Sequence, residues 1–143
     1  SREQEIADEK YWNEHPEEYQ LALSKKEEIK KISSVISPIE EEVNQLEEKK
    51  NEFLSEKENI ENGIIEKEAY IKKLQKKIFG KKKAEEEISS LENQIRQLKK
   101  DNDENESHIS NYKKKANDKN SNINTLKSQI RKLEQDIFNL RNK

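Results

Sequence analysis

The fold is decided by residues 71–88, which read IKKLQKKIFGKKKAEEEI. The last a position of one seven-residue apolar repeat is Ile78, and the first a position of a second repeat is Ile88. The two repeats are out of register, because Ile78 and Ile88 are ten residues apart instead of seven or fourteen. Gly80 lies in the break and suits the left-handed position that follows a helix C-terminus. One helix is therefore predicted to end here and another to begin.

Two repeats cover most of the chain, the first from Ala22 to Ile78 and the second from Ala84 to Leu140. Their a and d positions are mostly Ile and Leu. This is typical of a coiled coil, because these two positions form its only buried seam. Disordered chains do not keep such a repeat over this length. Polar residues weaken the middle of the seam, which we interpret as ordinary tolerance in a long coil: Lys50, Lys57, Asn102, Asn105 and Lys119.

Composition supports a thin core and argues against a globular one. Hydrophobic residues make up 29% of the 143 residues and charged residues 42%, which leaves too few apolar side chains for a compact domain. The 29 basic and 31 acidic residues give a net charge of −2, so the chain as a whole is no strongly cationic nucleic-acid binder. It has no Cys, and its two histidines, His15 and His108, lie on different predicted arms. We therefore expect no enzyme, no cofactor and no metal site.

Targeting signals are not visible in the sequence. No apolar run approaches the roughly 18 residues of a transmembrane helix, so we expect no membrane span. No signal peptide is visible either, and we expect a cytoplasmic location. Because the chain does not begin with Met, we interpret it as a segment of a longer protein.

The two repeats can pair if the chain doubles back. Pairing residues whose numbers add up to 162 sets an a position opposite a d position throughout, as for Leu74 with Ile88 and Ile36 with Leu126. We therefore predict an all-α fold, a long antiparallel two-helix coiled-coil hairpin with a short N-terminal helix. The predicted segments are the short helix at 1–15, a first arm at 16–78, a hairpin turn at 79–83 and a second arm at 84–143.

A parallel dimeric stalk is the alternative arrangement. Ile at a, Leu at d and Asn102 at one a position favour parallel pairs. A parallel homodimer would, however, set like charges together, for example Glu42 and Glu47, whereas the hairpin sets Glu47 opposite Lys113. Each exposed pair contributes only ~0.3–0.5 kcal/mol, so the charges favour the hairpin without deciding the matter.

Pro38 interrupts the first arm. Ser37-Pro38-Ile39-Glu40 reads as a helix start, with Ser as N-cap and Pro in the first helical position. The apolar register nevertheless continues from Ile36 to Val43. We therefore predict a kink, or a short break after which the helix resumes in line.

The predicted turn carries the first candidate site. Its residues suit phosphate groups of a nucleic acid, or an anionic membrane surface into which the Phe inserts. They equally suit a solvated helix end at which the Phe covers the core, because lysines interact favourably with a helix C-terminus. The candidate residues are Lys72, Lys73, Lys76, Lys77, Phe79, Lys81, Lys82 and Lys83.

The predicted open end of the hairpin carries the second candidate site. Exposed Trp and Tyr side chains are typical of a protein interface. Alternatively, the short N-terminal helix folds back and closes this end. The candidate interface residues are Tyr11, Trp12, Tyr19, Leu23 and Phe138.

Apolar residues beside the seam form a third candidate. They would widen the apolar stripe enough for two hairpins to associate into a four-helix assembly. Scattered apolar side chains are also normal on protein surfaces. The residues concerned are Val35, Leu54, Ile65 and Tyr70.

Two stretches carry a resemblance to known proteins. Residues 11–18, YWNEHPEE, open the first arm, and residues 78–83, IFGKKK, open the second. Together they resemble a coiled-coil region of uncharacterised Gram-positive bacterial proteins, over roughly residues 11–98. That region has a longer turn around its Gly, and because its activity is unknown, the resemblance implies a fold and no site.

These features predict a non-catalytic structural or interaction module, an elongated coiled-coil spacer or scaffold with a protein partner or self-association. The alternative function is a nucleic-acid-binding or anionic-surface-binding arm that uses the lysine-rich turn. In that case the hairpin is similar to the helical arm of seryl-tRNA synthetases. A parallel dimeric stalk is the third hypothesis.

Overall fold

The fold is known from a computed structural model that describes residues 1–77 and 79–142. These residues form three α-helices and no strand. The helices are α1 (Arg2–Glu14), α2 (Pro16–Gln75) and α3 (Lys81–Arg141). α2 and α3 pack against each other, which confirms the predicted all-α helical hairpin with a short N-terminal helix. Ile78, which we predicted in the seam, and Lys143, the predicted end of the second arm, lie outside the described residues.

Local sequence sets the boundary between α1 and α2. The Ser1 hydroxyl accepts a hydrogen bond from the Gln4 amide (3.2 Å), which caps the start of α1. α1 ends at Glu14, and the following His15 has φ −129° and ψ 67°. Pro16 then begins α2, where its missing amide costs no hydrogen bond.

The chain divides into two compact units. We call Ser1–Asn44 with Asn117–Lys143 the terminal unit, and Gln45–Ala116 the turn unit. Each unit contains a part of α2 and a part of α3.

In the terminal unit, α2 and α3 run antiparallel. Lys25 Nζ lies 3.6 Å from a carboxylate oxygen of Asp136, and the Lys119 ammonium pairs with Glu42 further along α2. The residue numbers thus rise along one helix as they fall along the other. Seam residues are buried between the two helices, among them Ala22, Ile36, Ile123 and Leu140.

The turn unit has the same antiparallel arrangement. Lys57 Nζ lies 3.1 Å from Glu106, and Lys67 Nζ donates to the Gln94 side chain over 2.9 Å. Each of these cross-pairs lies within one residue of the pairing that we predicted. The buried apolar seam here consists of Ile71, Leu74, Ala84, Ile95 and Ala116.

The predicted seam agrees with burial in both units. Each described residue at an a or d position of the two repeats is buried or half-buried. α2 and α3 of one chain therefore pack antiparallel, as in the predicted hairpin and unlike the parallel stalk.

The predicted ion pair between Glu47 and Lys113 is wrong. A Glu47 carboxylate oxygen instead lies 2.6 Å from Nζ of Lys50 on its own helix. Lys50 occupies a seam position, so its side chain must extend to the seam's edge to keep the ammonium near water, where it meets Glu47. Lys57 does the same and reaches Glu106 on the opposite helix. Lys57 and Lys119 thus supply charge contacts between α2 and α3 from positions that the sequence pattern assigned to the core.

The turn lies three residues earlier in the chain than we predicted. α2 ends at Gln75, after which the Lys76 and Lys77 amides bond three residues back, to Lys73 and Leu74 (3.3 and 3.2 Å). This tighter hydrogen bonding is common at helix ends.

Gly80 directly precedes α3, whereas we predicted that it would mark the end of α2. Its φ is +72°, and its carbonyl accepts from the Ala84 amide over 3.0 Å, the first helical bond of α3. Lys81–Lys83, which we placed in the turn, therefore form the first helical turn. The lysines oppose the helix dipole by ~0.3–1 kcal/mol each, which is small beside the backbone hydrogen bonds that follow.

Pro38 lies inside α2, and the helix continues through it without the short break that we offered as one outcome. Its ring removes the amide that would bond to the Ser34 carbonyl, so one helical hydrogen bond is missing. A kink at this position stays a prediction.

We predict that replacing the two prolines by alanine changes the free energy of unfolding by different amounts. Pro38→Ala should raise the free energy of unfolding by about 1–3 kcal/mol, because it restores the helical hydrogen bond and removes the ring clash. Pro16→Ala is the matched control and should change it by less than about 0.5 kcal/mol, because Pro suits the first helical position. Urea unfolding followed by circular dichroism measures both. Equal effects of the two substitutions would contradict this account.

The two glycines should respond to alanine with opposite signs. Gly63 is helical, and an added Cβ would meet Leu98 Cδ1 at 3.9 Å, an ordinary contact, so Gly63→Ala should stabilise by about 0.5–1 kcal/mol. Gly80→Ala should destabilise by about 1–2 kcal/mol, because φ is +72° there. The same unfolding experiment distinguishes them, and a stabilising Gly80→Ala would rule out the positive φ.

Candidate binding surfaces

The lysine-rich turn lies in the turn unit, and its predicted residues are at the end of α2, in the connection and at the start of α3. Lys72 and Lys73 lie in the last turn of α2, and Lys81–Lys83 in the first turn of α3. All seven lysines are exposed. Phe79 is 89% exposed, so the alternative in which it covers the end of the core is wrong. We call Lys72, Lys73, Lys76, Lys77, Phe79 and Lys81–Lys83 the turn surface.

The charge of the turn surface is not neutralised locally. Within the described part of the chain, none of its seven lysines forms an ion pair. No acidic residue lies in the first turn of α3, and Glu85–Glu87 follow one turn later. Lys72 and Lys73 are favoured by the C-terminal end of the α2 dipole, whereas Lys81–Lys83 are disfavoured by the N-terminal end of α3. The arrangement leaves a positive potential that an anionic partner would relieve.

A groove adjoins the turn surface. Its apolar lining includes Leu74, Ala84 and Ile88. Lys77, Lys81 and Glu85 also line it. The apolar seam thus reaches the charged turn, and cationic and apolar groups lie side by side.

The second candidate site lies in the terminal unit, where α1 docks on the end of α3. Tyr11 Oη donates to the Leu140 carbonyl over 2.7 Å, and Arg141 Nε donates to Asp8 Oδ1 over 2.6 Å. The Arg141 guanidinium also lies 4.5 Å from the centre of the Tyr11 ring, within cation–π range. These contacts correspond to the alternative in which the short helix folds back.

One face of α1 makes these contacts. Asp8, Tyr11, Trp12 and His15 recur at helical spacing and are all half-buried. The Tyr11 ring stacks on His15 (4.0 Å between ring centres), and His15 Nδ1 lies 2.8 Å from the Tyr11 carbonyl oxygen. His15 therefore joins α1 to the start of α2.

The predicted interface residues divide into two groups. Tyr11 and Trp12 are used inside the unit, with their rings 5.2 Å apart, and Trp12 lies 5.7 Å from Tyr19. Tyr19, Leu23 and Phe138 remain 36%, 39% and 60% exposed. The second group is the more exposed, and we call these three residues the terminal apolar surface.

The residues beside the seam are exposed, as their heptad positions predict. Their exposed fractions lie between 41% and 62% for Val35, Leu54, Ile65 and Tyr70.

Sequence reasoning missed a stacked aromatic cluster in the turn unit. The Phe53 ring lies 4.8 Å from His108 and 5.8 Å from Tyr112, with interplanar angles of 20°. Phe53 and Tyr112 occupy d positions of the two repeats, whereas the exposed His108 lies outside the seam. His108 directly precedes Ile109, a seam residue, and this position could have indicated that its ring lies near the aromatic side chains of the seam.

Two amides in the same unit are buried without partners. Asn102 Oδ1 and Asn105 Nδ2 have no hydrogen-bond partner, and Asn105 is 6% exposed. The polar seam positions thus weaken this part of the hairpin.

The described residues contain no group of three or more His, Cys, Asp or Glu side chains that could hold a metal ion. No helix in this part of the chain is sufficiently long and apolar to cross a membrane.

Comparison with family models, curated proteins and solved structures found no match to this chain. The resemblance to coiled-coil regions of Gram-positive proteins therefore stays a prediction.

Docking of α1 should depend on Tyr11. Tyr11→Ala removes the hydrogen bond to Leu140 and the stacking on His15, so amide hydrogen exchange over residues 2–14 should become at least about 10-fold faster. Alanine favours helix more than tyrosine does, so helix propensity works against this result. The control is Ile6→Ala, because Ile6 is 58% exposed. Unchanged exchange in Tyr11→Ala would show that α1 is held by other contacts.

Proposed function

We propose that this chain is a non-catalytic coiled-coil scaffold or spacer that works as a protein-interaction module. The observation that carries the proposal is apolar surface that the hairpin leaves uncovered. In the described residues, ten large apolar side chains remain exposed, whereas nine hydrophobic residues are buried, and three of the buried ones are alanine. Exposed apolar side chains suit a scaffold that binds proteins, because their burial by a partner lowers the free energy of the complex.

The terminal apolar surface is the best-defined part of this uncovered area. Tyr19 and Leu23 are four residues apart on α2 and are therefore neighbours on the helix surface. Leu23 and Phe138 each follow an a position, Ala22 and Ile137, and such positions lie on the same side of an antiparallel pair. We propose that this side associates with the same side of a second copy, which gives four helices.

A second function, binding of an anionic partner at the turn surface, is supported by a different observation. Its lysines have no carboxylate partners within the described residues. Binding through unpaired lysines weakens as salt rises, because the interaction is screened and counterions are released.

Self-association should depend on the terminal apolar surface. Sedimentation equilibrium of the whole chain should show a dimer that Leu23→Lys/Phe138→Lys weakens at least 10-fold, because each Lys would have to be desolvated in the interface. Leu21→Lys/Val35→Lys is the matched control: both residues are exposed, 54% and 50%, on α2 of the same unit. A chain that stays monomeric at about millimolar concentration would contradict self-association. Loss of the dimer only in the control would place the interface elsewhere.

A further inference from the structure

We propose that the turn surface docks on an anionic lipid membrane, with Phe79 inserted among the headgroups and the lysines against the lipid phosphates. This inference rests on the second function proposed above and names its partner. Three features of the turn unit carry it: the number of unpaired lysines, the exposure of Phe79 and the position of the nearest carboxylates.

The lysines match the charge of an anionic bilayer. Seven of the twelve residues from Lys72 to Lys83 are lysines, and none is acidic. All seven are exposed and none forms an ion pair in the described structure, so binding would break no internal contact. A lysine near an anionic membrane surface contributes about a fivefold gain in binding. Several acting together give strong, salt-dependent attraction.

Phe79 supplies the apolar contact. At 89% it is the most exposed of the large hydrophobic residues that the structure describes, and it lies beside Gly80, which supplies the positive φ of the turn. In water a Phe in this position gains nothing from the fold. In the headgroup region its ring would leave water while the flanking ammonium groups stay at phosphate level. Electrostatic attraction of the lysines and insertion of the aromatic ring thus make two separate contributions, which together give stable membrane binding.

The glutamates on either side of the turn surface restrict how this surface can approach an anionic membrane. Glu66 and Glu68 precede the lysines on α2, and Glu85–Glu87 follow them on α3. A contact along the sides of the helices would bring these carboxylates against the anionic lipids. A contact through the turn alone avoids them, so the charges favour docking by the turn.

These features favour a membrane over a nucleic acid. Duplex binders present basic side chains in a stripe along one face, which follows the rows of phosphates. Here the lysines come from both helix ends around one turn, which suits a plane of charge. Single-strand binders use several aromatic rings as stacking platforms, whereas Phe79 is the one aromatic side chain of the turn surface. Phe53 and Tyr112 of the same unit are stacked on each other in the seam.

The test is flotation of the whole chain with vesicles of phosphatidylcholine containing about one-third phosphatidylglycerol, and with vesicles of phosphatidylcholine alone. We expect binding to the anionic vesicles only, weakening as salt rises. Lys76→Glu/Lys77→Glu/Lys81→Glu/Lys82→Glu should lower binding at least about 100-fold. Phe79→Ala should lower it about 5- to 10-fold at each salt concentration, because the loss is apolar.

A charge-matched variant controls for net charge. Lys99→Glu/Lys100→Glu/Lys113→Glu/Lys114→Glu reverses four exposed lysines of the same unit away from the turn. It should bind the anionic vesicles within about threefold of the unmodified chain, while circular dichroism shows that all variants stay helical. An equal loss in this variant would overturn docking by the turn surface. Full binding by Phe79→Ala would overturn insertion.

Single-stranded and duplex oligonucleotides form the third arm. Oligonucleotide binding that the turn variant abolishes, together with no vesicle binding, would overturn the membrane proposal and leave anion binding at the turn intact. No binding to vesicles or oligonucleotides would overturn both. Binding to anionic vesicles that needs both the lysines and Phe79 supports the proposal.

Discussion

Burial of one narrow apolar seam between α2 and α3 is the interaction on which this structure depends. With 42% of its residues charged, the chain has few apolar side chains to remove from water, and the repeat places most of them in the seam. A 60-residue helix left alone would expose that stripe, and most helical stability in proteins comes from covering such a stripe. Reversal at Gly80 lets one chain cover its own stripe. The residues outside the seam are then left for solvent or for partners.

Polar residues inside the seam have consequences for the charges around it. Lys50, Lys57 and Lys119 cannot leave their ammonium groups between the helices, so each extends to a carboxylate at the edge. These contacts are partly exposed and contribute little stability individually. The two that cross between the helices, Lys57 with Glu106 and Lys119 with Glu42, favour one alignment of α2 and α3. Asn105 has no such reach, and its amide stays buried without a partner. The seam therefore combines strongly apolar layers near the turn with weaker polar layers further along.

The seam was predictable from the sequence because a repeat of seven needs only residue identity and spacing. The same pattern set the pairing to within one residue, as Lys67 with Gln94 shows. The Glu47–Lys113 pair was not predictable in this way, because a long side chain chooses among several nearby partners and Lys50 was closer. The start of α3 at Lys81 was missed because helix-dipole preference was given more weight than the backbone bond from Ala84 to Gly80. Docking of α1 joins Tyr11 to Leu140, 129 residues away, and no local pattern encodes such a contact.

The most direct test of the account is the distance between α2 and α3 within one molecule. The chain has no Cys, so spin labels can be attached at Lys30→Cys and Lys132→Cys, two exposed positions of the terminal unit. Labelled protein is diluted with an excess of unlabelled protein, so that only distances within a molecule are measured. Helices packed 8–10 Å apart predict a single label distance below about 25 Å. A distance near 150 Å, as expected for one continuous helix in a parallel stalk, would contradict the hairpin.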